Sequence, residues 1–247
     1  FVQLAYNGTR FHGWQKQPNS QSIQQTLEEA FSLLLRQPID ITGCGRTDTG
    51  VHASDYVFHF DCDAPLPEHL IYRLNKFLSS DIAIYNIKEV EQDAHARFDA
   101  IRRSYKYHIS WQKNPFEAET CWHFPEAARL QRDKMAQAAA LLMEYGSFFP
   151  FCKTHSDAKT MDCQLFESAW EWDDERQRAV YHISANRFLR GMVRLIVGTS
   201  IYIGRGNLQI SHLREALDNQ SRLRQSYSAP PQGLFLSKIS YPINPNT

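Results

Sequence analysis

Residues 22–60 read SIQQTLEEAFSLLLRQPIDITGCGRTDTGVHASDYVFHF, a helix pattern followed by two strand patterns around a glycine-bounded loop. Ser22-Ile23-Gln24-Gln25 is a capping-box pattern, in which the serine side chain satisfies a backbone N–H of the first helical turn. Ile23, Leu27, Ala30, Phe31 and Leu34 then recur at helical spacing, and Pro38 stops the run. Residues 39–42 and 56–60 predict short strands on either side of the loop.

Working outward, residues 1–6 predict a strand, followed by a polar loop that contains Gly8, Gly13 and Pro18. Residues 68–78 place Leu70, Ile71, Leu74, Phe77 and Leu78 on one helical face, and 82–90 alternate as a strand. The order is β-α-β-β-α-β. The remainder repeats it: strands at 103–110, 165–172, 179–184 and 234–240, and helices at 130–145, 188–203 and 211–219. The expected fold is α/β of the α+β type. It has two ferredoxin-like halves, residues 1–98 and 99–247, with mainly antiparallel sheets packed around a central active-site cleft.

At 247 residues and 43% hydrophobic, the chain is long enough for one large domain or two smaller ones. No apolar run approaches the ~20 residues of a membrane span, and no signal-peptide pattern is present. Phe1 opens directly into a strand, so a few preceding residues are expected. Cys44, Cys62, Cys121, Cys152 and Cys163 form no CxxC pair, and their odd number argues for a reducing cytoplasm. A zinc site from Cys44, His52, His59 and Cys62 lacks the usual paired spacing. The net charge is zero, but its distribution is polarised. From Arg176 to Arg214 there are seven arginines and no acid, and from Arg97 to Lys113 five basic residues against Asp99. Phosphates respond to such local charge, not to the sum.

The loop Gly43-Cys44-Gly45-Arg46-Thr47-Asp48-Thr49-Gly50-Val51-His52 concentrates the chemistry. Its glycines permit backbone shapes that a Cβ forbids, and flanking strands would project Asp48 from a rigid base. A guanidinium such as Arg46 favours the ionised form of a nearby carboxylate, which a nucleophilic Asp needs. The same spacing also describes an ordinary Asx turn with a solvated arginine.

Further blocks bear on that choice. The loop resembles the catalytic signature of the tRNA pseudouridine synthase A family. Tyr6-Asn7-Gly8-Thr9-Arg10-Phe11-His12-Gly13-Trp14-Gln15 is similar to its amino-terminal signature. His95-Ala96-Arg97-Phe98 with Arg102-Arg103-Ser104-Tyr105-Lys106-Tyr107 resembles its second block. Asn186-Arg187-Phe188-Leu189-Arg190-Gly191-Met192-Val193-Arg194 with Ile196-Val197-Gly198 resembles the third, and Ala229-Pro230-Pro231-Gln232-Gly233-Leu234 the last. Leu189-Arg190-Gly191 departs from the more histidine-like residues of some members. The resemblance implies Asp48 as catalytic aspartate and Tyr105 as the aromatic that stacks on the target uracil. It makes Arg46 and Arg194 active-site arginines and Leu234 an apolar wall of the uracil pocket, all converging in the cleft. It implies a tRNA substrate modified on the 3′ side of the anticodon stem-loop, around positions 38 to 40, and a homodimer with one tRNA contacting both subunits.

Isomerising uridine to pseudouridine moves the ribose from N1 to C5 of the same uracil, with no redox change, so no cofactor and no metal is expected. A carboxylate can attack the anomeric carbon, assist a glycal intermediate, or add to the uracil ring. Extruding the base costs a few kcal/mol, and an aromatic platform recovers about 1–3 kcal/mol per stacked base. Tyr105 and Tyr107 share one strand face, so at least one belongs to the core. Arg187, Arg190 and Arg194 would line one helix face, as a phosphate or carboxylate contact or as a solvated charged face. Arg10, Lys16, Arg102, Arg103 and Lys106 are further candidates for backbone contacts with tRNA. His12, Trp14 and His52 suit packing or loop-fixing as well as a ligand. Two other classes fit parts of the pattern: a non-catalytic RNA-binding module, and a metal-dependent nuclease using Asp48, Asp55, Asp61 and Asp63.

Overall fold

The structure, a computed structural model, describes residues 1–153 and 159–242. By its contacts the chain divides into two units, Phe1–Ile101 with Phe235–Thr247, and Arg102–Leu234.

The first unit contains β1 (Val2–Tyr6), α1 (Ile23–Leu35), β2 (Thr42–Gly43), β3 (His52–His59), α2 (Leu70–Phe77) and β4 (Ile82–Ile87). Ser22 caps α1 as its sequence predicts, accepting from the backbone N–H of Gln25 at 3.2 Å. The helix ends at Arg36, whose left-handed φ of 58° turns the next N–H, that of Gln37, back to the Ser32 carbonyl at 3.2 Å. Thirteen residues make a marginal helix on their own; burial holds this one, because Ile23, Leu27, Ala30 and Phe31 are inaccessible to solvent. The strands lie in the order β4-β1-β3, with β2 on β3, all antiparallel. The strand expected at 56–60 begins earlier, at His52, a polar side chain that is nonetheless fully buried.

The second unit contains β5 (Arg102–Ser110), β6 (Trp122–His123), α3 (Arg132–Leu142), β7 (Leu165–Asp173), β8 (Arg178–Ala185), α4 (Met192–Gly204) and α5 (Ile210–Asp218). β5, β8 and β7 are antiparallel neighbours in that order, and β6 adds a short parallel pair to β5. Tyr107, Tyr181, Phe148 and Phe151 fill the core. The chain closes with β9 (Leu234–Ser240), which pairs in parallel with β3 of the first unit, His52 opposite Phe235 and Ala53 opposite Leu236. The architecture is mixed α/β with mainly antiparallel strands, as the residue pattern implies. No helix among the described residues is long and apolar enough to cross a membrane.

One helix differs from its sequence expectation. α4 starts at Met192, not at 188, because Gly191 precedes it with a left-handed φ of 71°. Upstream, the Asn186 side chain accepts from the backbone N–H groups of Gln164 and Arg187, holding 186–190 as a loop. Arg187 and Arg190 therefore lie outside the helix, and only Arg194 is in it. The i, i+3, i+4 stripe does not form.

On β5, burial pushes His108 down to about 4 from its ordinary 6.5, helped by Lys106, His182 and Arg178 and opposed by Glu117. The folded state takes up this proton later than the unfolded state as pH falls, so stability is present above the unfolded value and is lost on acidification toward about 4. A His108→Gln variant should show a flatter melting temperature between those pH values. An unchanged pH slope would assign the acid sensitivity elsewhere.

Candidate active site

The loop from Gly43 to His52 is held in place by groups on both sides of it. Cys44 continues the β2–β3 pairing, its N–H reaching the Val57 carbonyl at 2.8 Å. The Tyr56 hydroxyl donates to the Gly45 carbonyl, and the Trp14 ring stacks on Tyr56 with centroids 4.1 Å apart. Thr47 turns inward, its Oγ1 2.8 Å from the Tyr6 hydroxyl, and its carbonyl accepts from Trp14 N–H at 3.2 Å. Val51 N–H closes a turn onto the Asp48 carbonyl at 3.1 Å. The sequence marks Gly8 and Gly13 only as loop residues, and the structure shows why each is glycine. Gly13, at φ 84°, has room for no Cβ beside the Thr47 carbonyl, and a Cβ on Gly8 would stand 2.0 Å from the Val51 carbonyl oxygen. The amino-terminal loop is thus the bed on which the Asp48 loop lies.

Inward Thr47 leaves its neighbours outward: Asp48 is partly exposed and Arg46 exposed. Arg46 donates from Nε to Oε1 of Gln15 at 3.1 Å and makes no ion pair among the described residues. Proximity in sequence suggests a pairing with Asp48; an amide holds the guanidinium instead. His52 and Trp14 are buried. His52 accepts the Gly8 N–H on Nδ1 at 3.0 Å and stacks on Phe235, so its work is to fix the loop.

In the second unit, strand parity leaves Tyr105 and Tyr107 equivalent, and the structure separates them. Tyr107 is fully buried, its hydroxyl donates to the Pro230 carbonyl at 2.7 Å, and burial drives its pKa upward. Tyr105 stays partly exposed, edge-on to Phe188 at 5.1 Å. Arg194, in the first turn of α4, donates from Nε to the Ala229 carbonyl at 2.6 Å, and Ala229 N–H returns a bond to the Arg194 carbonyl at 3.0 Å. Gly233 lies against the Tyr107 ring, where a Cβ would come within 2.8 Å. Residues 229–234 are therefore clamped between α4 and β5, which links Arg194, the Tyr105 strand and buried Leu234 within this unit.

The basic residues divide into two groups. Of the seven arginines between 176 and 214, four face acids: Arg176 pairs with its neighbour Asp173, and Arg178 with Glu117, Arg205 with Glu126 and Arg214 with Glu144 from other segments. Arg187 donates to Thr160 Oγ1, and Arg190 is exposed. Arg10 pairs with Asp81, Lys16 with Glu28 and Arg102 with Glu167, while Arg103 donates to the Asn186 carbonyl. Exposed pairs are worth only about 0–1 kcal/mol, so an incoming phosphate can compete for a cation such as Arg102, whose partner Glu167 is also exposed, whereas the partners of Arg10 and Lys16 are largely buried.

The acids and thiols of the alternative metal readings are engaged separately. Asp55 accepts from Gln3 and from Ile239 N–H, and His59 Nδ1 accepts from Ala96 N–H. Cys62 bonds Gln37 and the Ala64 carbonyl, and Cys44 is buried. Among the described residues no group of three or more His, Cys, Asp or Glu could hold a metal ion.

The chain was compared with known proteins. The family model described as tRNA pseudouridine synthase matches residues 4–99 and 145–242. The protein called tRNA pseudouridine synthase A from Porphyromonas gingivalis is 46% identical over 245 residues, which cover 98% of this chain and 96% of the relative. That from Parabacteroides distasonis is 43% identical over 98% of this chain and 95% of its own. The one from Thermoanaerobacter pseudethanolicus is 36% identical over 97% and 98%.

Proposed function

The chain belongs to the tRNA pseudouridine synthase family, whose members isomerise uridine to pseudouridine in tRNA, and from that premise we propose that it acts on the anticodon stem-loop, around positions 38 to 40, with Asp48 as the catalytic carboxylate. The reaction breaks the bond from C1′ to N1 and forms one from C1′ to C5. The C5 proton leaves and N1 gains one, so atoms balance without a cofactor. The observation that carries the reading is the Asp48 loop: it is locked at Gly45, Thr47 and Val51 while the Asp48 side chain stays partly exposed. Such pre-positioning is what a group acting on a single bond requires.

Tyr105 is the platform for the extruded uracil, Leu234 an apolar wall, and Arg46 and Arg194 the arginines of the reacting site. Arg187, Arg190, Arg10, Lys16, Arg102 and Arg103 supply backbone contacts to tRNA. The five free cysteines suit a reducing cytoplasm, and the working form is a homodimer. Wild-type protein incubated in EDTA with tRNA carrying 5-tritiated uridine should release tritium, and the new pseudouridines should map to the anticodon stem-loop. Products mapping elsewhere would overturn the stem-loop assignment. Loss of all release in EDTA would make it a metal enzyme.

Tyr105→Phe keeps the ring and loses the hydroxyl. It should bind tRNA as wild type does and turn over more slowly, as a hydroxyl that moves a proton at C5 requires. Unchanged turnover would leave Tyr105 as a stacking platform alone.

A further inference from the structure

The first unit has a recess of about 160 Å3 beside the Asp48 loop. Buried Trp14 and Ile41 line it together with Gly45, Gln15, Arg46 and Arg97. Both arginines are exposed, and no carboxylate is among the lining residues.

Arg46 is held there from a distance. The Glu28 carboxylate, 7% exposed, accepts from Lys16 Nζ at 3.0 Å and from Gln24 Nε2 at 2.9 Å. A carboxylate only accepts, so Gln24 must present its nitrogen to Glu28 and its carbonyl outward. That carbonyl accepts from Gln15 Nε2 at 3.0 Å, and the Gln15 carbonyl in turn accepts from Arg46 Nε. The buried charge therefore sets the sense of the whole chain, Glu28 to Gln24 to Gln15 to Arg46. With Nε engaged, the terminal nitrogens of Arg46 remain for a ligand. A guanidinium edge fits the two oxygens of a phosphate, and two guanidiniums around a recess without acids select an anion.

We propose that this recess holds one phosphodiester of the tRNA strand next to the target uridine, gripped by Arg46 and Arg97, with Glu28, Gln24 and Gln15 as positioning residues for Arg46. Only Thr47 separates Arg46 from Asp48, at most about 7 Å of chain, so the bound phosphate neighbours the reacting nucleotide. The adjacency rests on the reading of Asp48 as the catalytic carboxylate; the phosphate site itself does not.

Phosphate-ethylation interference tests this on whole tRNA, comparing wild type with Arg97→Ala and Glu28→Gln. In wild type, ethylating one phosphate beside the modified uridine should block binding. With Arg97→Ala that single interference should vanish, affinity should fall about tenfold, the scale of one charge-assisted contact, and the salt slope should drop by about 0.7–0.9. Glu28→Gln should weaken interference at the same phosphate and at no other. Identical interference patterns and salt slopes for wild type and Arg97→Ala, with melting temperature intact, would overturn the proposal. Lower stability of Glu28→Gln with the pattern unchanged would reduce Glu28 to a structural acid and remove the positioning chain. If the vanishing position falls outside the anticodon stem-loop, the recess stands and the stem-loop assignment fails. If Asp48→Asn still turns over while the interference behaves as expected, the catalytic assignment fails instead.

Discussion

Asp48→Asn should abolish tritium release while leaving tRNA binding near wild type. The substitution keeps size and shape and removes the charge that can attack carbon or take up a proton. Groups in that role carry losses of about three orders of magnitude or more. The loop should not collapse, because its anchors are elsewhere: Tyr6 on Thr47, Tyr56 on Gly45, and the amino-terminal loop beneath. Single-turnover release with excess protein separates chemistry from binding, and filter binding of the same tRNA gives the affinity. Release within a few-fold of wild type would sink the assignment of Asp48. Parallel loss of binding and of melting temperature would place the residue in the fold instead.

Gly8→Ala carries the second large effect, and it contains no charge at all. A Cβ there meets the Val51 oxygen at 2.0 Å and the Val51 carbon at 2.7 Å. Both are main-chain atoms, so no rotamer change relieves the clash; one loop must move. The Gly8 N–H that holds His52 Nδ1 moves with it. Overpacking of this kind costs about 1–3 kcal/mol, and a displacement of an ångström at the reacting group costs about a hundredfold in rate. Denaturant melting and tritium release should therefore both suffer, release by far the more. Gly146→Ala, where a Cβ meets nothing within 4 Å, is the control. Wild-type behaviour of Gly8→Ala in both assays would show that the two loops are not coupled.

What the sequence discloses follows the range of the interactions involved. α1 is legible because its cap, its apolar stripe and its stop lie within seventeen residues of chain, all local. The Asp48 loop is legible as a glycine-bounded projection for the same reason. The start of α4 is not, since the Asn186 side chain and Gly191 override a continuous apolar and basic pattern that reads as helix. Nor can strand parity choose between Tyr105 and Tyr107; the Pro230 carbonyl, far along the chain, claims Tyr107. The arginine-rich segment looks like one basic surface until Glu117, Glu126 and Glu144 arrive from distant positions to neutralise three of its members. Gln15 is unremarkable by composition, and its place against Arg46 depends on a carboxylate buried in a helix.

β9 gives the chain an unusual order of completion. It lies beside β3, the strand that carries the Asp48 loop away from its turn, and Asp55 accepts the Ile239 N–H across a separation of 184 residues. During synthesis, residues 1–101 emerge before β9, so β3 must wait for that strand before its neighbour and the Phe235 ring over His52 are in place. Contacts so distant in sequence form late and slowly. A nascent chain halted before residue 235 therefore carries every residue of the Asp48 loop without the strand that braces it, and activity should appear only once β9 has been made.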